Sequence, residues 1–374
     1  MQKRRGHNEG NIKQRADGLW EARISLPGGK RKSLYGKTRR EAQDKLRAAL
    51  RDVDAGLDLA TGRQKVGQFL DQWLDASVRP SVKVKTYEGY ESIVRVRVKP
   101  RIGHVLLARV TPLDLQGLYT ALAGSGLSNR SIHHTHRALH QAFNQAVRWG
   151  LTARNPCDGV TPPRPKRSEM RVLTKDQAAA LLDATRTDPA HALYVLAITT
   201  GMRQGELLGL RWEDADLDAG KLAVRRALQR QRGKGLVFTE PKSTRSRRVI
   251  LLSDRAVSAL RTHRDRQTFE RRVAGSMWQD GGLVFCTGTG APLDPSWQTK
   301  VFKAALKQAG LPDIRFHDCR HTAATLLLAA GVHPKVVSEM LGHATITLTL
   351  DTYSHLVPVM HQEAAKAMDA VLGA

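Results

Sequence analysis

Cysteine is scarce: Cys157, Cys286 and Cys319 are odd in number and far apart in 374 residues. That excludes a disulfide framework and a cysteine-rich zinc module, and it fits a reducing cytoplasm. Aromatic residues make up only 5%, and no base-stacking motif of an RNA-binding module is present. Long hydrophobic runs are missing too. The longest, at residues 325–332, falls well short of the ~20 apolar residues that cross a bilayer, so no membrane association is expected. The basic start MQKRRGHNEG leads into no apolar stretch, so no secretory signal is expected. No phosphate-binding Gly-x-x-x-x-Gly-Lys-Ser/Thr loop, internal repeat or low-complexity tract is found.

Acidic residues are outnumbered, 35 against 60 basic, for a formal net charge of +25. The excess is spread out: 17 basic against 8 acidic over residues 1–65, 13 against 6 over 66–165, and 30 against 21 beyond. A single basic tail is therefore excluded. The pattern implies a polyanion met along the whole molecule, and nucleic acid fits best.

The chain is long enough for two or three domains. Residues 1–60 read as a three-stranded sheet plus one helix. Strand-like runs at 19–26 and 31–35 flank the turn Pro27-Gly28-Gly29, and the helix is capped by Thr38 with Glu41 and stopped by Gly56. The basic hairpin tip, Lys30, Arg31 and Lys32, suits a DNA groove. Residues 65–160 read as all-helical, with apolar sets Phe69, Leu70, Trp73, Leu74; Leu113, Leu115, Leu118, Tyr119, Leu122; and Ile132, Leu139, Phe143, Val147. Ser128 caps the last helix, and Gly150 ends it. The Pro-rich basic stretch 161–169 reads as a linker. Residues 170–374 form the largest domain, in which helices bracket three strands between 222 and 252, KLAVRRALQR, GLVFTE and RRVILL. Ser253 or Asp254 caps the helix that follows.

Several residues of this last domain suit phosphate chemistry. His317 and His321 are four apart, a spacing that suits zinc. No Glu completes His-Glu-x-x-His, however, and Arg320 would set a fixed cation beside the metal, so no metal site is expected. His317 and Arg320 instead share a helix face that can hold an anion. TTGMRQGELLGLRW sets Arg203 in a short apolar helix with Glu206 one turn on. The anion it needs is either Glu206, in a structural salt bridge, or a bound phosphate, which the second arginine and the two imidazoles favour. Tyr353 is one of only six tyrosines. Its phenol, with a pKa near ~10, needs a base before it can attack, and His317 or His343 could serve. Lys242, on the turn of EPKSTRSRR, could protonate a leaving alkoxide.

Taken together, TTGMRQGELLGLRW, EPKSTRSRRVILL, HDCRHTAATLLLAAGVHPKVVSEMLGH and TLDTYSHL resemble the tyrosine recombinase, or phage integrase, family. The resemblance implies a mainly helical multidomain fold with small β-sheets: an arm-type DNA-binding domain (1–60), a helical SAM-like core-binding domain (65–160), a linker (161–169) and a mixed α+β catalytic domain (170–374). It implies Tyr353 as nucleophile, Arg203 and Arg320 as phosphate clamps, His343 as hydrogen-bond donor, Lys242 as general acid and His317 as general base, with Glu206 orienting Arg203. The expected intermediate is a 3′-phosphotyrosyl bond, followed by a Holliday junction. No metal or other cofactor is implied. The implied partners are double-stranded DNA at core and arm sites, a homotetramer on that DNA, and DNA-bending and excisionase-type helpers, in the cytoplasm. Integration and excision of a phage or other mobile element would be the outcome. Cys319 stands where a larger aliphatic is common in the family.

Three other readings compete. The segment 322–343 passes for a helix-turn-helix of a DNA-binding regulator, but such a protein has no use for Arg203, Lys242 and Tyr353 in this order. A nicking-closing topoisomerase shares the chemistry but not the arm-like unit. RNA binding is opposed by the low aromatic content. The C-terminal set Ala364, Ala367, Met368, Val371 and Leu372 reads either as a helix closing its own domain or as one docking on a neighbouring protomer.

Overall fold

The computed structural model describes residues 11–25, 31–54, 64–165, 170–240, 247–343, 345–353, 368–369 and 372. The chain divides into two compact units, Met1–Arg167 and Ser168–Ala374. It is mainly helical with small antiparallel sheets, as the sequence implies.

In the first unit, β1 (Asn11–Gln14), β2 (Trp20–Ser25) and β3 (Arg31–Gly36) pair in that order. Ala22 and Ile24 alternate onto one face of β2, where they meet Ala42, Leu46 and Ala49 of α1 (Arg39–Asp54). Glu21 points the other way and is nonetheless buried, bonded to Arg23 (2.9 Å) and the Ser33 hydroxyl (2.7 Å). Those hydrogen bonds, Arg23 first, hold its carboxyl at about 2. Thr38 caps α1 by accepting the Glu41 N–H (3.1 Å), while the Glu41 carboxylate reaches back past Thr38 to the Lys37 N–H (2.8 Å). Gly56 lies outside the described residues, as does Lys30. Arg31 and Lys32 sit on β3, opposite Ser25 and Ile24, rather than at the turn.

The helical part of this unit runs through α2 (Val66–Trp73), α3 (Arg79–Ser81), α4 (Val84–Ser92) and α5 (Lys99–Ile102), joined by π-helical turns at Leu74–Val78 and Ile93–Val98. It then continues into α6 (Pro112–Gly124) and α7 (Asn129–Arg148). Phe69, Leu70, Trp73, Leu115, Leu118, Tyr119, Leu122, Ile132, Leu139 and Phe143 form its core. Two residues of the expected apolar sets depart from it. Leu113 is 79% exposed, because two residues before Leu115 is the opposite side of a helix, and Val147 is 37% exposed at the rim of the α7 stripe. Ser128 caps α7 by accepting the Ser131 N–H (3.3 Å), and Gly150 follows its end at φ +68°.

The second unit is built around α9 (His191–Thr200), which is buried on nearly all sides. Around it lie α8 (Lys175–Ala184), α11 (Asp254–Ala274, capped by Ser253), α12 (Pro295–Gln308) and α13 (Asp318–Ala329). The short α10 (Gln204–Leu208) follows α9, and α14 (Pro334–Leu341) and α15 (Ile346–Tyr353) follow α13. The strand-rich region differs from the three-strand expectation. β4 (Ala215–Asp216), β5 (Lys221–Val224) and β8 (Arg248–Leu251) form one sheet, β6 (Ala227–Gln231) and β7 (Gly235–Thr239) another. The run KLAVRRALQR breaks where Arg225 and Arg226 turn to the buried carboxylate of Asp214, at 3.6 and 2.7 Å. A buried carboxylate needs such partners, and meeting them interrupts the strand. Of the C-terminal apolar set only Met368 and Leu372 are described, both exposed. Among the described residues, no helix is long and apolar enough to cross a membrane.

Candidate active site

α9 ends at Gly201, whose φ of +61° is the left-handed cap that glycine adopts without strain. The site is also crowded: a Cβ there would lie 2.4 Å from Leu341 Cδ2 and 3.3 Å from Ala323 Cβ. Two residues later the backbone is extended at Arg203 (φ −70°, ψ 147°), which is the N-cap of α10 rather than a residue within a helix. This joint aims the guanidinium outward, leaving the side chain 40% exposed. Glu206, only 4% exposed, fastens it from behind. Its Oε1 accepts from Arg203 Nη1 (2.7 Å), and its Oε2 from the Arg203 backbone N–H (3.1 Å). Oε2 also accepts from Arg248 Nη2 (3.0 Å). Burial pushes the Glu206 carboxyl up, but Arg248 and then Arg203 more than offset it, so the group stays ionised below its ordinary range.

Arg320, in the first turn of α13, is buried, and its Nη1 donates to the Gly201 carbonyl (2.9 Å). His317 is the N-cap of the same helix, and its carbonyl accepts from the Arg320 N–H (3.1 Å). Its ring meets His321 edge-on, centroids 5.4 Å apart. His317 keeps an exposed edge. Even so, burial of the rest of the ring, followed by the charges of His321 and Arg320, lowers its pKa to about 4. His343 follows Gly342, the left-handed cap of α14 at φ +69°. Burial first, then Arg320 and Arg203, lowers its pKa to about 4 as well. Both imidazoles are therefore neutral near pH 7 and able to accept a proton. The Gly342 carbonyl lies 3.4 Å from Arg203 Nη2, closing the group.

His343 Nδ1 is 2.7 Å from the Thr349 hydroxyl, which holds α15 against this cluster. Tyr353 is the last residue of α15, one turn after Thr349; its side chain lies outside the described residues. Lys242 lies outside them too. The structure thus brings together Arg203, Glu206, His317, Arg320 and His343. Two guanidiniums beside two neutral imidazoles make a cradle for a phosphate diester, with proton acceptors at its rim.

Two family models match the sequence: the phage integrase family over residues 171–358, and the phage integrase N-terminal SAM-like domain over residues 65–123. The chain belongs to the phage integrase family. It is an enzyme of the tyrosine recombinase class. Among its relatives, a tyrosine recombinase XerC-like protein of Caldanaerobacter subterraneus subsp. tengcongensis is 32% identical, over 91% of each chain. An integrase of Streptomyces ambofaciens is 30% identical, over 99% of this chain and 98% of its own. The Tn1549 transposon integrase, solved in complex with a circular intermediate DNA, superposes with a TM-score of 0.71 at 25% identity, over 82% of this chain and 99% of that one.

Two residues that hold this cluster together carry no sequence signal of their own. Arg248 is one of three arginines in the run TRSRRV, and its carboxylate partner Glu206 is 42 residues away. Thr349 is one threonine among several in ATITLTLDT. Cys319 is buried, and burial pushes its thiol up to about 12, so it packs as a small apolar residue.

Proposed function

We propose that this integrase cuts and rejoins double-stranded DNA through a covalent 3′-phosphotyrosyl intermediate. The convergence of Arg203, Arg320, His317 and His343 on one cradle carries the assignment. In the proposed step, the Tyr353 hydroxyl attacks the scissile phosphorus and passes its proton to His317. The phosphorus–O5′ bond breaks, and Lys242 protonates the departing 5′-oxygen. Arg203 and Arg320 hold the non-bridging oxygens while charge builds on them, and His343 adds a hydrogen bond. Glu206 keeps Arg203 in place. The phosphotyrosyl bond conserves the energy of the diester, so the 5′-hydroxyl of a partner strand reverses the step without nucleotide hydrolysis.

The same assignment extends to the whole chain. Residues 1–60 would bind arm sites, with Lys30, Arg31 and Lys32 contacting DNA, and residues 65–160 would clasp the core site. Residues 161–169 would link these to the catalytic part, 170–374. Four protomers on two sites would pass through a Holliday junction, integrating or excising a mobile element with bending and excisionase-type helpers. The DNA-bound state of the Tn1549 integrase and the positive charge in every region of this chain support DNA as the partner.

The test uses nicked duplexes from the DNA that flanks the gene, in which the cleaved fragment diffuses away and traps the covalent complex. On a denaturing gel, wild-type protein gives a slow protein–DNA band that Tyr353→Phe abolishes, while both shift the duplex on a native gel. A native shift with no covalent band from wild type would favour a DNA-binding regulator of the same fold.

A further inference from the structure

Arg248 touches three segments of the candidate site at once. From the start of β8, Nη2 reaches Glu206 Oε2 (3.0 Å) behind Arg203. Nε reaches the Met340 carbonyl (2.7 Å) at the end of α14. The guanidinium also lies under Gly342, where an added Cβ would come within 3.0 Å of Nη1 and 3.2 Å of Cζ. The side chain is only 8% exposed and the Glu206 side chain 4%. In sequence, Arg248 follows Lys242 by six residues.

These contacts form a closed circuit. Arg203 holds Glu206 through Nη1 and the Gly342 carbonyl through Nη2. Arg248 holds Glu206 from the other side and the backbone two residues before Gly342. Glu206 thus serves two arginines, one turned toward the cradle and one turned away. A buried carboxylate with a single cation would be under-compensated, and Arg203 alone could swing with it. The second arginine fixes the carboxylate, and through it the direction of the first. The flat guanidinium also seats the Gly342 turn that presents His343. Only a planar fork can serve a carboxylate on one edge and a carbonyl on another in this way; lysine can reach one of them at a time.

We infer that Arg248 is a positioning residue for strand cleavage, setting Arg203 through Glu206 and His343 through the Met340–Gly342 turn. The inference rests on the proposed cleavage chemistry, and the experiment separates the two. Single-turnover cleavage of the nicked duplex is measured for wild type, Arg248→Gln, Arg248→Lys, Glu206→Gln and the Glu206→Gln/Arg248→Gln double variant, alongside native gel shifts and thermal melts. Absence of covalent product with wild type would defeat the cleavage chemistry itself. Given wild-type cleavage, Arg248→Gln is expected to bind the duplex within about 3-fold of wild type and to cleave more than about 30-fold more slowly. Arg248→Lys should recover part of the rate. In the Glu206→Gln background, Arg248→Gln should cost no more than about 3-fold further, because both act on the same arginine. Wild-type cleavage by Arg248→Gln would overturn the inference. So would full additivity with Glu206→Gln, or a loss of rate in Arg248→Gln no larger than its loss of binding.

Discussion

Arg320 donates a 2.9 Å hydrogen bond to the carbonyl of Gly201. The helix that carries one arginine of the proposed clamp is thereby fastened to the turn that presents the other, Arg203. The distance between the two clamps is set by backbone on one side of this bond and by a buried side chain on the other.

Gly201→Ala should loosen this joint. Alanine at φ +61° costs about 1–2 kcal/mol, and displacing the Leu341 methyl that its Cβ would strike adds about 1–3 kcal/mol. Urea unfolding should show a lower midpoint at an unchanged slope, with a covalent-complex yield that falls further than stability alone explains. An unchanged midpoint would mean that the turn relaxes freely.

Acid should weaken the catalytic unit through His263. Its Nε2–H donates to the Val284 carbonyl (2.7 Å), Nδ1 accepts from Arg266 (2.9 Å), and burial lowers its pKa to about 4. The unfolded chain takes up a proton near pH ~6.5, while the folded one resists down to about 4. Stability is therefore fully present above the unfolded pKa and is lost as pH falls from there toward the folded one. Between pH 7.5 and 5 the loss from this residue is about 2 kcal/mol. Urea titrations of wild type and His263→Asn at those two pH values should show a flatter dependence in the variant; parallel lines would contradict the assignment.

DNA binding should be steeply salt-dependent. With a net charge of +25 spread over every region, six or more phosphate contacts are expected, and each adds about −0.9 to the log–log slope. Affinity for a flanking-DNA duplex should fall by roughly 10³-fold or more between 50 and 200 mM salt. A shallow slope, near that of one or two contacts, would place most of the positive charge off the DNA.

Much of this architecture is written locally, and those parts are legible in the chain. Ser128, Ser253 and Thr38 cap the helices that follow them because a cap is decided within three residues. The Arg203–Glu206 pair is readable for the same reason, as is the buried stripe of α7. What sequence does not carry is set by distant partners. Arg203 reads as part of an apolar helix, but the turn at Gly201, packed on Leu341, places it at an N-cap. The split of KLAVRRALQR depends on Asp214, and the role of Arg248 on Glu206 and Met340. β1 is short and polar, so it has no alternation to betray it. Leu113 belongs by composition but not by helical phase.

The central claim is that Tyr353 is the atom-level link to DNA. Trapped covalent complex from the nicked duplex, digested with trypsin and nuclease, can be mapped by mass spectrometry. The account predicts a nucleotide on the peptide containing Tyr353, joined through the 3′-phosphate, with a free 5′-hydroxyl on the released strand. An adduct on any other residue, or a 5′-phosphate linkage, would contradict it.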